Sequence, residues 1–161
     1  MGLSIQGNNF SQADYQRFSE RLHENLAVLK QVLADPQFGG DQRSYGAEFE
    51  LYIVDGEGRV SPCNQAIQAH HGDPLLTLEL NRFNLEYNLL PVGASATPFS
   101  ELQLQMETAL QGLGRSAAHF NSRLVPVGIL PTLGVEDFGR DCMTDSPRYH
   151  ALTEGLKRIG S

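Results

Sequence analysis

Apolar residues recur along the chain with two different periods, and the periods divide it into helical and extended segments. Leu22, Leu26, Leu29 and Leu33, joined by Phe18 and Val32, mark one side of a helix over 11–34. Ser11 is placed to cap it, with Asp14 at the third position of a capping box, and Asp35-Pro36 stops it ahead of a Phe38-Gly39-Gly40 loop. The stripe predicts ordinary core packing, with His23 on the surface. A second long helix is expected over 98–120, opening near Thr97-Pro98 with Leu102, Met106, Leu110 and Leu113 on one side, and weakened near its end by Gly112 and Gly114. Pro147, following Ser146 as cap, opens a last helix over 147–159, and a short one fits 64–70.

The extended segments alternate instead. Residues 44–54 read as one strand, Asp55-Gly56-Glu57-Gly58 as a turn, and 59–61 as the start of a return strand before Pro62. A second strand is expected over 84–90, ending at Pro91, and a third over 123–130, where Pro126 argues for a sheet edge. Strands separated by hairpins and helices in mixed order predict an α+β fold, with a mainly antiparallel sheet and helices packed on one face. The chain divides into an N-terminal helix and loop over 1–40 and a domain over 41–161.

Composition narrows the function classes. The 161 residues suffice for one domain with a core, and 12 basic against 19 acidic residues leave a net charge of −7. No basic stripe exists to follow a phosphate backbone, so nucleic acid is excluded as an expected partner. No window approaches the length of a membrane span, and Met1–Gly7 lacks the pattern of a secretion signal, so a cytoplasmic protein without a membrane partner is expected. Cys63 and Cys142 read as free thiols. The adjacent His70 and His71 are poorly placed to meet on one metal ion.

The polar faces of the strands carry the candidate chemistry. Side chains alternate along a strand, so Glu48, Glu50 and Tyr52 share one face while Phe49, Leu51 and Ile53 share the other. In 84–90, Asn84, Glu86 and Asn88 oppose Leu85, Tyr87 and Leu89 in the same way. If the two strands are neighbours, Glu48, Glu50 and Glu86 cluster. Like charges so placed raise one another's pKa, and an oxygen-rich cluster of this kind suits Mg²⁺. A solvated outer sheet face is the plain alternative. A GxxxxGK[ST] loop, a GxGxxG after a strand and a GxSxG elbow are all missing from the sequence, so a nucleotide would be held by metal and carboxylates.

Four pieces occur in order: Gly46-Ala47-Glu48-Phe49-Glu50-Leu51, then Glu79 to Glu86 with six residues between the acids, then Val127-Gly128-Ile129-Leu130-Pro131-Thr132, then Arg148-Tyr149. With these the chain, from about residue 44 onward, resembles the glutamate–cysteine ligase family, in its bacterial and archaeal carboxylate–amine ligase branch. The resemblance implies part of a glutamine synthetase-like catalytic fold, with Mg²⁺ as cofactor and ATP as co-substrate. It implies transfer of a phosphoryl group to the glutamate γ-carboxylate and displacement of phosphate by an amine. Cysteine is the default amine, which gives γ-glutamylcysteine in glutathione biosynthesis. Glu48 and Glu50 match the first pair of metal-binding acids, Glu79 and Glu86 the second, and Arg148 and Tyr149 a substrate-binding motif. Glu79 would point away from Glu86 on one continuous strand, so the chain must bend or bulge at 81–83. Set beside family members, the sequence reads as an N-terminal part of a ligase, with no turnover expected from it alone and a homo-oligomer expected if apolar surface stays uncovered. A non-catalytic Mg²⁺–ATP-binding or regulatory module, or another Mg²⁺-dependent phosphotransferase, are the alternatives.

Overall fold

Alternation of apolar and polar residues builds a four-stranded antiparallel sheet, described by a computed structural model that covers residues 10–40, 43–94 and 97–159, the side chains of Arg158 and Ile159 excepted. Strand β2 (Glu48–Val54) lies between β4 (Asn84–Asn88) and β6 (Arg123–Val125), and β3 (Leu76–Leu78) flanks β4, giving the order β3-β4-β2-β6. A separate two-stranded ribbon pairs β1 (Ser44–Tyr45) with β5 (Val92–Gly93).

The core sits on one face of the sheet. Leu51 and Ile53 of β2, Leu85 of β4 and Leu76 of β3 pack against Ile67 of helix α2 (Asn64–His71) and against Leu102, Ala109, Leu113 and Ala117 of helix α3 (Pro98–His119). Each fully buried leucine or isoleucine contributes roughly 1.5–3 kcal/mol by leaving water, so these two helices secure the sheet. Helix α2 ends on Gly72 at φ 71°, a left-handed conformation in which a glycine carries no side-chain penalty. Helix α4 (Pro147–Ile159) opens on proline, as expected, and is tied to β3 by Tyr149.

Several expectations need correction. The strand expected over 44–54 breaks at Gly46-Ala47, where the Ala47 carbonyl accepts the Leu89 N–H at 2.9 Å and the chain turns off to pair with β5. The return strand at 59–61 is reduced to a single bridge between Val54 and Val60. The strand expected over 84–90 ends at Asn88, because the Leu90 backbone is bonded on both sides by the Gln105 side chain. The strand expected over 123–130 ends at Val125, since Pro126 has no N–H to donate, and β6 is a sheet edge as Pro126 suggested. Strand β3 was not expected.

The largest correction concerns helix α1 (Gln12–Ala34). Its capping box forms as expected: the Ser11 N–H donates to the Asp14 carboxylate at 2.7 Å, and the Asp14 N–H to the Ser11 hydroxyl at 3.3 Å. Yet the helix buries no residue, and Phe18, Leu22, Leu26, Leu29, Val32 and Leu33 are all exposed. The apolar face of the sheet is already occupied by α2 and α3, which leaves α1 no core to enter. Among the described residues no helix is long and apolar enough to cross a membrane. The expectations for Met1–Gly7 and for Gly160-Ser161 fall outside the described residues.

Candidate functional site

The face of the sheet opposite α2 and α3 gathers the acids. In the β2–β4 ladder Glu50 stands directly across from Glu86, and Glu48 across from Asn88. In the β3–β4 ladder Thr77 stands across from Glu86. Directly opposed residues share a face with Cβ atoms roughly 4.5–5.5 Å apart, so the alternation along the two strands puts Glu48, Glu50 and Glu86 together as expected.

Glu79 reaches the same face because the chain bends at 81–83, as expected, and the bend is a full reversal. Residues 79 to 86 form neither one strand nor a bulged one. Strand β3 ends at Leu78 and the chain reverses, with the Asn84 N–H donating to the Asn81 carbonyl at 2.9 Å. Glu79 then takes its face from Thr77, two residues before it, and Thr77 is paired with Glu86. The hairpin therefore turns the odd spacing into convergence.

Buried polar groups lock this reversal. Asn64, at the start of α2, donates through Nδ2 to the Asn81 carbonyl at 3.1 Å, the Asn84 carbonyl at 3.2 Å and the Thr144 hydroxyl at 2.8 Å. Thr144 in turn donates to the Glu79 carbonyl at 2.5 Å, and its N–H to the Leu80 carbonyl at 2.8 Å. The acid itself is also held: Glu86 Oε1 accepts from Thr77 Oγ1 at 3.0 Å and from Asn88 Nδ2 at 2.8 Å. The roles of Asn64 and Thr144 have no signature in the sequence, because 80 positions separate them and neither carries a local signal. The role of Asn88 is readable from its shared parity with Glu86.

The electrostatics follow from this packing. Burial pushes the Glu79 carboxyl above its ordinary value of 4.5, and the charges of Glu86 and Glu50, with a hydrogen bond to Glu86, push it further, against a lowering bond from the Leu80 N–H. Burial likewise raises the Tyr149 phenol, with the charge of Glu79 next and Glu86 adding to it, while Arg148 opposes. Among the described residues none of Glu48, Glu50, Glu79 and Glu86 forms an ion pair; the ion pairs present lie elsewhere. The face thus carries several carboxylates with no counter-charge on them, an arrangement that a divalent cation relieves. All the donors are hard oxygens, the chemistry Mg²⁺ takes, so the donor set fits that ion. As they stand, no three His, Cys, Asp or Glu side chains among the described residues gather about one point. Glu48 and Glu50 are exposed, so their side chains have room to turn.

Beside Glu48 the face opens into a cavity of about 420 Å³ lined by Gly46, Ala47, Glu48, Asn88 and Leu89. Of the pair expected to bind substrate, Arg148 is exposed with its guanidinium carbon 5.9 Å from the Tyr149 ring centroid. Tyr149 is buried and donates its hydroxyl to the Leu78 carbonyl at 3.0 Å, one residue from Glu79. The two histidines separate as expected: His70 stacks on His119 at 4.6 Å, and His71 Nδ1 lies 3.0 Å from the Ser116 hydroxyl. Cys63 and Cys142 are free thiols. Comparison of the chain with family models, with curated proteins and with solved structures gives no significant match.

Proposed function

We propose that this sheet face binds Mg²⁺ and ATP and serves an ATP-dependent ligase that joins the glutamate γ-carboxylate to an amine, with cysteine as the default amine. One observation carries the reading: Glu50 and Glu86 are directly opposed on the open face, and a separate hairpin holds Glu79 beside them. The ordered motifs that resemble the glutamate–cysteine ligase family support it, and that resemblance implies a glutamine synthetase-like catalytic fold.

In this reading Glu48, Glu50, Glu79 and Glu86 hold the ion, which when bound neutralises the phosphate oxygens of ATP and fixes them in line for transfer. The chain's own residues supply the rest. Asn64 and Thr144 fix the hairpin that presents Glu79, and Thr77 and Asn88 orient the Glu86 carboxylate. The cavity beside Glu48 offers room for a substrate, and the resemblance assigns the exposed Arg148 to the carboxylates of glutamate. Phosphorylation of the γ-carboxylate makes an acyl phosphate, and amine attack at its carbonyl carbon releases inorganic phosphate and forms the amide.

A second reading is that the face binds Mg²⁺–ATP without turnover. Calorimetric titration with ATP, with and without Mg²⁺, tests both. The expected result is saturable Mg²⁺-dependent binding that Glu50→Gln and Glu86→Gln each abolish. Phosphate release that requires both glutamate and an amine supports the ligase; binding without release supports the second reading. No Mg²⁺-dependent ATP binding overturns both.

A further inference from the structure

The most unusual surface of the molecule is carried by helix α1 rather than by the acid face. Helix α1 runs for 23 residues with nothing buried, and Phe18 and Leu33 are 68% and 58% exposed. Tyr15, Phe18, Leu22, Leu26, Leu29 and Leu33 follow one another at spacings of three or four that average one helical turn, so they form a stripe within an arc of roughly 80°. Most helical stability in proteins comes from packing such a face, and α1 buries none of its own among the described residues.

We infer that α1 is an interaction surface for a second copy of this chain, pairing antiparallel with the partner subunit's α1. Charge singles out this occupant. The helix carries Asp14, Glu20 and Glu24 against Arg17, Arg21 and Lys30, so the whole net charge of −7 lies outside it. Two copies of α1 meet without net repulsion, whereas pairing two copies through their other surfaces brings acidic bodies together. The same balance argues against a membrane surface, where the polar side of such a helix is rich in Lys and Arg.

Charge and connectivity also set the direction. The body follows the C-terminal end of α1, so a parallel pair would crowd two bodies of like charge at one end. An antiparallel pair places them at opposite ends of a helix about 34 Å long, several screening lengths apart. The stripe is nearly symmetric about its middle, so Leu22 meets Leu26 of the partner subunit and Tyr15 meets Leu33 of the partner subunit, an isologous contact. Two aromatic side chains and four half-exposed leucines offer on the order of 600 Å² per copy, near the ~800 Å² per partner of a standard interface. The pairing expected is therefore real but modest, in the micromolar range. This inference stands apart from the proposed function.

Analytical ultracentrifugation of the whole chain across the micromolar range tests it. The expected result is a concentration-dependent shift from 17.7 kDa to twice that mass. Leu22→Gln combined with Leu29→Gln should weaken the dimer at least about a hundredfold while the near-ultraviolet dichroism of the body is retained, since neither side chain is buried. Independently of those variants, nitroxide labels on Gln12→Cys, with Cys63 and Cys142 changed to Ser, should read an intermolecular distance of about 35–45 Å by pulsed electron resonance. A monomer at all concentrations, a dimer indifferent to the leucine substitutions, a label distance near 10 Å, or adsorption to anionic vesicles in place of dimerisation would each overturn it.

Discussion

Glu50 is the most direct probe of the acid face. It stands across from Glu86 and is one of the charges that raise Glu79. Without metal, Glu50→Gln removes a like-charge pair from the ladder while keeping the side-chain shape. Opposed like charges on a sheet destabilise it by about 0.2–1 kcal/mol, and Glu50 is exposed, so the gain belongs in the lower half of that range. For a chain of this size that corresponds to a melting temperature about 1–2 °C higher, shrinking as salt screens the pair. The pH dependence has a definite sign. Because the folded pKa of Glu79 is raised, the folded state holds more protons than the unfolded one between the ordinary value of 4.5 and the raised one. Stability therefore falls as pH rises through that window and stays lower above it. Glu50→Gln should shallow this fall. Magnesium should reverse the order: at ten times its dissociation constant an ion bound only by the folded state adds about 1.4 kcal/mol, and the variant should lose most of that response. Scanning calorimetry with and without MgCl₂, from pH 4 to 8, reads all three effects. Equal magnesium responses in the two proteins, or a variant less stable by more than about 1 kcal/mol, would refute the reasoning and mark Glu50 as structural.

Other residues give further expectations. Asn64→Ala leaves two backbone carbonyls and a threonine hydroxyl without their buried donor, so it should cost about 2–3 kcal/mol in urea unfolding and disturb the Glu79 hairpin. Tyr149→Phe removes one bond to the Leu78 carbonyl and should cost about 1 kcal/mol by the same measurement, whereas Arg148→Ala, on the surface, should stay within about 0.5 kcal/mol and act instead on glutamate-dependent phosphate release. The Tyr87 phenol is pushed up to about 12 by burial and by its 2.7 Å bond to Asp73. Its contribution to stability is complete below the ordinary value of 10 and is lost as pH rises through about 12, so Tyr87→Phe should flatten that part of the alkaline unfolding profile.

Local rules in the sequence determined most of the elements. A capping box, a proline in the first turn and an alternating strand are decided by neighbours a few residues away, so α1, α3, α4 and the two faces of β2 and β4 are legible from the residues alone. The same alternation foresaw Glu48, Glu50 and Glu86 on one face, because parity along a strand does not depend on what the strand packs against. Contacts between distant segments were decided only by the tertiary structure. Strand β3 is three residues long and carries no period of its own; pairing with β4 defines it, and that pairing sets which way Glu79 points. Asn64 and Thr144 meet across 80 positions of chain. The fate of the leucine stripe on α1 is the clearest case. Its spacing specified an apolar side to a helix, but burial is a property of the partner surface, and α2 and α3 had already filled the one available.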